Sequence, residues 1–140
     1  MDWDEYEEKG LVRKAFVDRE HIKSLMKMSQ AKLDFAAKQA IDESSSSIIL
    51  VLYYDALREV CEALAILNGF KVYSHEAFVH FLKYKLSEDE ASRIFNRYRR
   101  LRNGVNYYGK SVSAGEAANA RSEVPELITH LKEKYLKEFN

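Results

Sequence analysis

Apolar residues recur at intervals of three and four over most of this chain, the pattern of helices that bury one face. The first such stretch runs from about Asp18 to Ile41, with Ile22, Leu25, Met26, Met28, Leu33, Ala36, Ala37 and Ala40 on its apolar side. Asp42-Glu43 and four serines interrupt it. The last of these, Ser47, is expected to cap a second helix reaching Asn68, with Gly69 as its stop. The opening of that helix, Ile48-Ile49-Leu50-Val51-Leu52-Tyr53-Tyr54, is apolar all round, which predicts a central helix with neighbours on every side. Ser74 is placed to cap a short third helix ending near Tyr84. Ser87-Glu88-Asp89-Glu90 and Ser113-Ala114-Gly115-Glu116 both carry the serine-to-glutamate spacing of a capping box and open a fourth and a fifth helix. The fourth is expected to break near Gly104, and Pro125 to kink or break a turn of the fifth. No strand-like alternation persists. The pattern predicts an all-α, up-and-down bundle of about five helices.

Composition sharpens this picture in two places. One hundred and forty residues suit one domain with one core, here read as spanning 1–140 with residues 1–17 as an acidic N-terminal extension. A single Pro and five Gly agree with long helices. The N-terminus has no apolar run of a secretory signal, and the apolar stretch from Ile48 to Leu67 carries Asp55, Arg58, Glu59 and Glu62, too many charges for a membrane span. The expected setting is the cytoplasm. The single cysteine, Cys61, falls inside that run, where it reads as a small hydrophobe.

Charge changes the picture more. The 22 basic and 22 acidic residues cancel, so bulk charge draws this chain to no polyanion. They are segregated, however. The first eight residues hold five carboxylates, while Ala91 to Lys110 holds six basic residues and no acid. On the fourth helix Ile94, Tyr98, Leu101, Val105 and Tyr108 form an apolar stripe expected to face the core. Arg93, Arg97 and Arg100 stand on one shoulder of it and Arg102 on the other. Such arginines are either a solvated face paired with acids elsewhere or a phosphate-binding face, with the neighbouring tyrosines as stacking partners. Asp55, Arg58, Glu59 and Glu62 share a stripe of the second helix. It reads as an ion-pair ladder facing solvent, or as an acidic support facing the arginines. His21, His75, His80 and His130 are too scattered for a metal site, and no cofactor or metal is expected.

The segment Arg99-Arg100-Leu101-Arg102-Asn103-Gly104-Val105-Asn106-Tyr107-Tyr108-Gly109 resembles the signature region of HEPN domains, the higher eukaryotes and prokaryotes nucleotide-binding helical bundles. Leu52 to Arg58 through Gly69, and then Ser74-His75, resemble that family's second helix and following loop, so the likeness runs from Ser47 to Leu136. It implies a four-helix core and a nucleotide- or RNA-binding module. Homodimerisation is implied as well, with a minimal nucleotidyltransferase as a possible partner in a toxin–antitoxin-type pair. Arg102-Asn103 matches the first half of the family's arginine–histidine motif. At the histidine spacing this chain has Tyr107, and no histidine lies between His80 and His130. The implied site is Arg102, Asn103 and Tyr107, with Arg93, Arg97, Arg100 and Tyr108 binding the ligand and Asp55, Arg58, Glu59 and Glu62 in support. The other readings are a metal-independent endoribonuclease with a variant arginine–tyrosine site and a helical protein with no ligand.

Overall fold

The structure, a computed structural model, describes residues 2–140. Its centre is the helix α3 (Ser46–Leu67), which packs on α2 (Arg19–Ala37), α6 (Ala114–Tyr135) and α5 (Asp89–Tyr108). Helix α3 contributes buried apolar residues from Ile49 to Ile66, Cys61 among them, but the expected neighbours on every side fail along one stripe, where Ile48 is exposed and Val51, Leu52 and Asp55 are half-buried. Small residues let α2 approach closely: the buried Ser29 hydroxyl donates to the Ala56 carbonyl at 2.8 Å. Arg121 of α6 reaches the C-terminal end of α2, donating to the Ala36 and Gln39 carbonyls at 2.8 and 2.6 Å and to the Tyr53 hydroxyl at 3.4 Å. The fold is thus the expected all-α bundle, and among the described residues no helix is long and apolar enough to cross a membrane.

Several local expectations are corrected. Residues 2–17, read as an acidic extension, carry two elements that pack on the body: α1 (Trp3–Glu8) buries Trp3 and Tyr6, and β1 (Val12–Lys14) pairs antiparallel with β2 (Phe70–Val72). The apolar pair three residues apart faces inward while the carboxylates stay outside. The third helix is split, an α-helical turn α4 (His75–His80) running into a π-helical turn over Phe81–Lys85. Ser74 stands at the N-cap of α4 without a capping bond. Ser87 forms no capping box. Its backbone is left-handed (φ 56°), and Glu88 takes the N-cap position of α5 while its side chain is drawn off to α6. Ser113 and Glu116 form theirs as expected. Ser47 lies inside α3, and its hydroxyl accepts the distant Val112 N–H at 3.0 Å rather than capping the helix. Helix α5 runs through Gly104 and stops at Gly109 (φ 62°), with Lys110 N–H returning to the Gly104 carbonyl at 3.0 Å. Helix α6 likewise continues through Pro125.

Candidate functional site

Helix α5 opens against the core and ends outside it. Along its apolar stripe Ile94 and Tyr98 are buried, Leu101 and Val105 half-buried, and Tyr108 is 74% exposed, so the expectation that all five face the core fails at the last turn. That departure leaves a groove of about 560 Å³ between α5 and the loop leading into α6. All four residues read as ligand-binding, Arg93, Arg97, Arg100 and Tyr108, line it, joined by Lys110 of the loop. Arg97 is committed: it pairs with Glu123 of α6, whose carboxylate also accepts the Tyr98 hydroxyl at 2.7 Å. Burial and that hydrogen bond push the Tyr98 phenol up to about 12. Burial alone would raise the Glu123 carboxyl, but donation from Tyr98 and Arg97 holds it below its ordinary value. Arg93, Arg100 and Lys110 have no carboxylate partner among the described residues. The groove's acid, Glu116, is occupied in the capping box, accepting the Ser113 N–H at 3.0 Å. The groove therefore presents three free cations and an exposed phenol ring.

Arg102 and its neighbours lie on the other shoulder. Its Nη1 approaches the Asn103 Oδ1 at 3.5 Å and the Tyr107 hydroxyl at 3.4 Å, and its guanidinium sits over the rings of Tyr54 (5.8 Å) and Tyr107 (5.7 Å). The three residues read as catalytic are thus in one place, separate from the groove. Behind them stands His75, which in the sequence belongs to the loop likeness after the second helix and is too scattered from the other histidines for a metal site. The buried Tyr54 hydroxyl is 2.9 Å from His75 Nδ1 at the start of α4. No spacing rule ties His75 to Arg102; only the packing of α4 and α5 on α3 joins them. Burial, together with the Arg58, Arg102 and Arg99 guanidiniums and against the pull of Asp55, lowers the His75 imidazole to about 4, so it is neutral at pH 7. Burial likewise raises the Tyr54 phenol, which stays protonated. With His75 as the only partner of the Tyr54 side chain among the described residues, the hydroxyl proton must point at Nδ1, or it would be buried unpaired. That fixes the tautomer: Nε2 carries the hydrogen, and His75 presents a neutral donor rather than a basic lone pair.

The acidic stripe of α3 divides between neighbours instead of forming a solvent-facing ladder. Arg58 and Glu62 pair at 2.8 Å, while buried Glu59 meets Lys32 of α2 at 2.8 Å. Asp55 and Arg58 are the members close enough to act on His75. Of the other histidines, His80 stacks on Tyr84 and His130 meets Glu88, and among the described residues no three His, Cys, Asp or Glu side chains converge as metal ligands. Burial raises the Cys61 thiol, which is inert where it lies. No protein-family model, curated protein or solved structure is matched by this chain.

Proposed function

We propose that this chain is a nucleic-acid-binding module that holds RNA along the arginine groove of α5 and works with a partner. The observation that carries this reading is the convergence of Arg93, Arg100 and Lys110, all without carboxylate partners among the described residues, around the exposed ring of Tyr108. Cations on an open surface attract a phosphate backbone, and an exposed ring offers a stacking face to any base. The HEPN resemblance supports the same reading, including a homodimer and a minimal nucleotidyltransferase as the partner. Anisotropy of a labelled single-stranded RNA over a salt series tests it. Binding should weaken with salt, and replacing Arg93 and Arg100 by Ala should flatten the slope of log K against log salt by about 0.7 for each lost phosphate contact. An unchanged slope in the double variant would sink the proposal.

Metal-independent RNA cleavage at Arg102 is the second reading, favoured by an imidazole, His75, bonded to the Tyr54 side chain over whose ring the Arg102 guanidinium sits. It ranks lower because Tyr54 engages Nδ1 and leaves no basic nitrogen facing outward. A general base is worth about 10²–10⁴-fold in rate, so incubating the protein with RNA in EDTA, beside an Arg102→Ala control, separates the two. Little cleavage by either protein is the expected result. Brisk cleavage that Arg102→Ala abolishes would reverse the ranking.

A further inference from the structure

We propose that the two-stranded ribbon of β1 and β2, with the apolar slot beside it, is a docking surface for an extended acidic segment of a partner protein that inserts one aliphatic side chain. This surface shares no residue with the groove of α5 and does not rest on the RNA reading. Its first support is a charge arrangement that the fold does not need. Arg13 stands directly opposite Lys71 in the register of the two strands, and like charges so placed oppose the pairing. Neither finds a carboxylate partner among the described residues. Both lie over the ring of Tyr73, at 5.6 and 5.5 Å, and all three residues are exposed. The ring holds the two cations together on the outer face of the ribbon, where an arriving run of carboxylates meets both.

The slot continues from this pair. Ala15, Phe16, Ile66 and Val72 line a cavity of about 110 Å³, and Lys71 stands at its rim. The acids of that rim are engaged: Asp18 accepts the His21 N–H at 3.1 Å at the start of α2, and Glu62 is held by Arg58 at 2.8 Å. Beside the slot Ala15, Phe16 and Val17 form a run of exposed apolar residues, Phe16 at 79%, which contact with water alone does not favour. Small-molecule sites measure roughly 300–1,000 Å³, so this slot has the size for one side chain of a larger partner. An aliphatic side chain suits it better than a nucleobase, whose polar edge would be buried there without partners. The ribbon supplies the rest. No third strand lies on either side of it among the described residues. Tyr73 N–H donates to the Leu11 carbonyl at 2.7 Å and Ala15 N–H to the Gly69 carbonyl at 2.8 Å. That phase points the backbone N–H and carbonyl of the exposed Lys14 away from β2. An open strand edge pairs with the backbone of an extended peptide, an interaction that a nucleic acid does not offer.

Chemical-shift mapping on the full chain tests this surface. The probes are a capped Glu-Glu-Leu-Glu-Glu peptide, its counterparts Glu-Glu-Ser-Glu-Glu and Lys-Lys-Leu-Lys-Lys, and a single-stranded oligonucleotide of the same charge as the acidic peptides. The leucine-centred acidic peptide should move the amide resonances of Arg13, Lys71 and Val72. It should bind roughly 10–100-fold more tightly than the serine form, the value of one buried aliphatic side chain. The basic peptide should leave those resonances in place. Arg13→Glu should abolish binding yet keep the urea midpoint at least as high as that of the intact chain, because opposite charges then face each other across the strands. Lys71→Glu, made separately, should do the same. A lowered midpoint in both variants would assign the pair to the fold alone and overturn the proposal. So would ribbon resonances that ignore the acidic peptide, or that answer the basic peptide equally. An oligonucleotide that moves them as strongly as the leucine-centred peptide would give the surface to a nucleic acid instead of a protein. Resonances that shift with protein concentration alone would give it to a second copy of this chain.

Discussion

Glu88 joins three side chains of one helix to the start of another. Its carboxylate accepts the Tyr135 hydroxyl at 2.8 Å, Lys134 Nζ at 3.0 Å and His130 Nε2 at 3.2 Å. Burial by itself would raise the Glu88 carboxyl, but these donors outweigh it and hold the group below its ordinary value. A carboxyl depressed in the folded state contributes stability above the unfolded value, about 4.3, and loses it as pH falls through the lower folded value. Acid should therefore loosen the junction of α5 and α6 once the pH falls below the unfolded value. Glu88→Gln is expected to lower stability at pH 7 and to flatten the acid limb of a urea-midpoint profile. An acid limb as steep as that of the unmodified chain would place the sensitive carboxylate elsewhere. The same contacts explain why the serine before Glu88 caps nothing. A glutamate drawn toward α6 carries its own backbone into the N-cap position, and tertiary packing overrides the local signal.

At the scale of elements, the last turn of α5 depends on one residue. Gly109 closes the helix in a left-handed conformation, and a Cβ added there meets nothing within 4 Å. Gly109→Ala should then cost only the backbone penalty, about 1–2 kcal/mol, and fray the turn that carries Tyr107 and Tyr108. A drop in urea midpoint accompanied by weaker RNA binding is the expected pair of results, and a stability unchanged from that of the parent chain would contradict it. What the sequence made legible follows the same logic of local against distant. The apolar run of α3 announced a central helix, Ser113 and Glu116 announced their cap, and the spacing of Arg93, Arg97 and Arg100 announced a common face. Strands of three residues, such as β1 and β2, are too short to show a period. Trp3 and Tyr6 were hidden among carboxylates, and their burial is decided by contacts with Phe70, Phe81 and His80 rather than by their neighbours in sequence. His75 was invisible as a site residue because its hydrogen-bond partner, Tyr54, comes from another helix.

Over the whole molecule, opposite charges cancel in number but not in place. The basic end of α5 juts from the body with Tyr107 and Tyr108 uncovered, and large apolar rings left in water favour a covering surface. The homodimer of the proposed reading would bring two copies of this end together about a two-fold axis. Sedimentation at tens of micromolar should then show a dimer, and a monomer at about that concentration would remove the pairing from the proposal. Two Arg102 side chains in one interface repel, so phosphate or a short RNA should tighten the dimer. The bond from Val112 N–H to the Ser47 hydroxyl bears on how such a surface meets its ligand. It fastens one wall of the groove to the first turn of the most deeply buried helix, so the wall is held in place before anything arrives. A strand settling there spends little free energy on ordering the protein. Encounter is governed by diffusion and charge, and how long the strand stays depends on the contacts themselves.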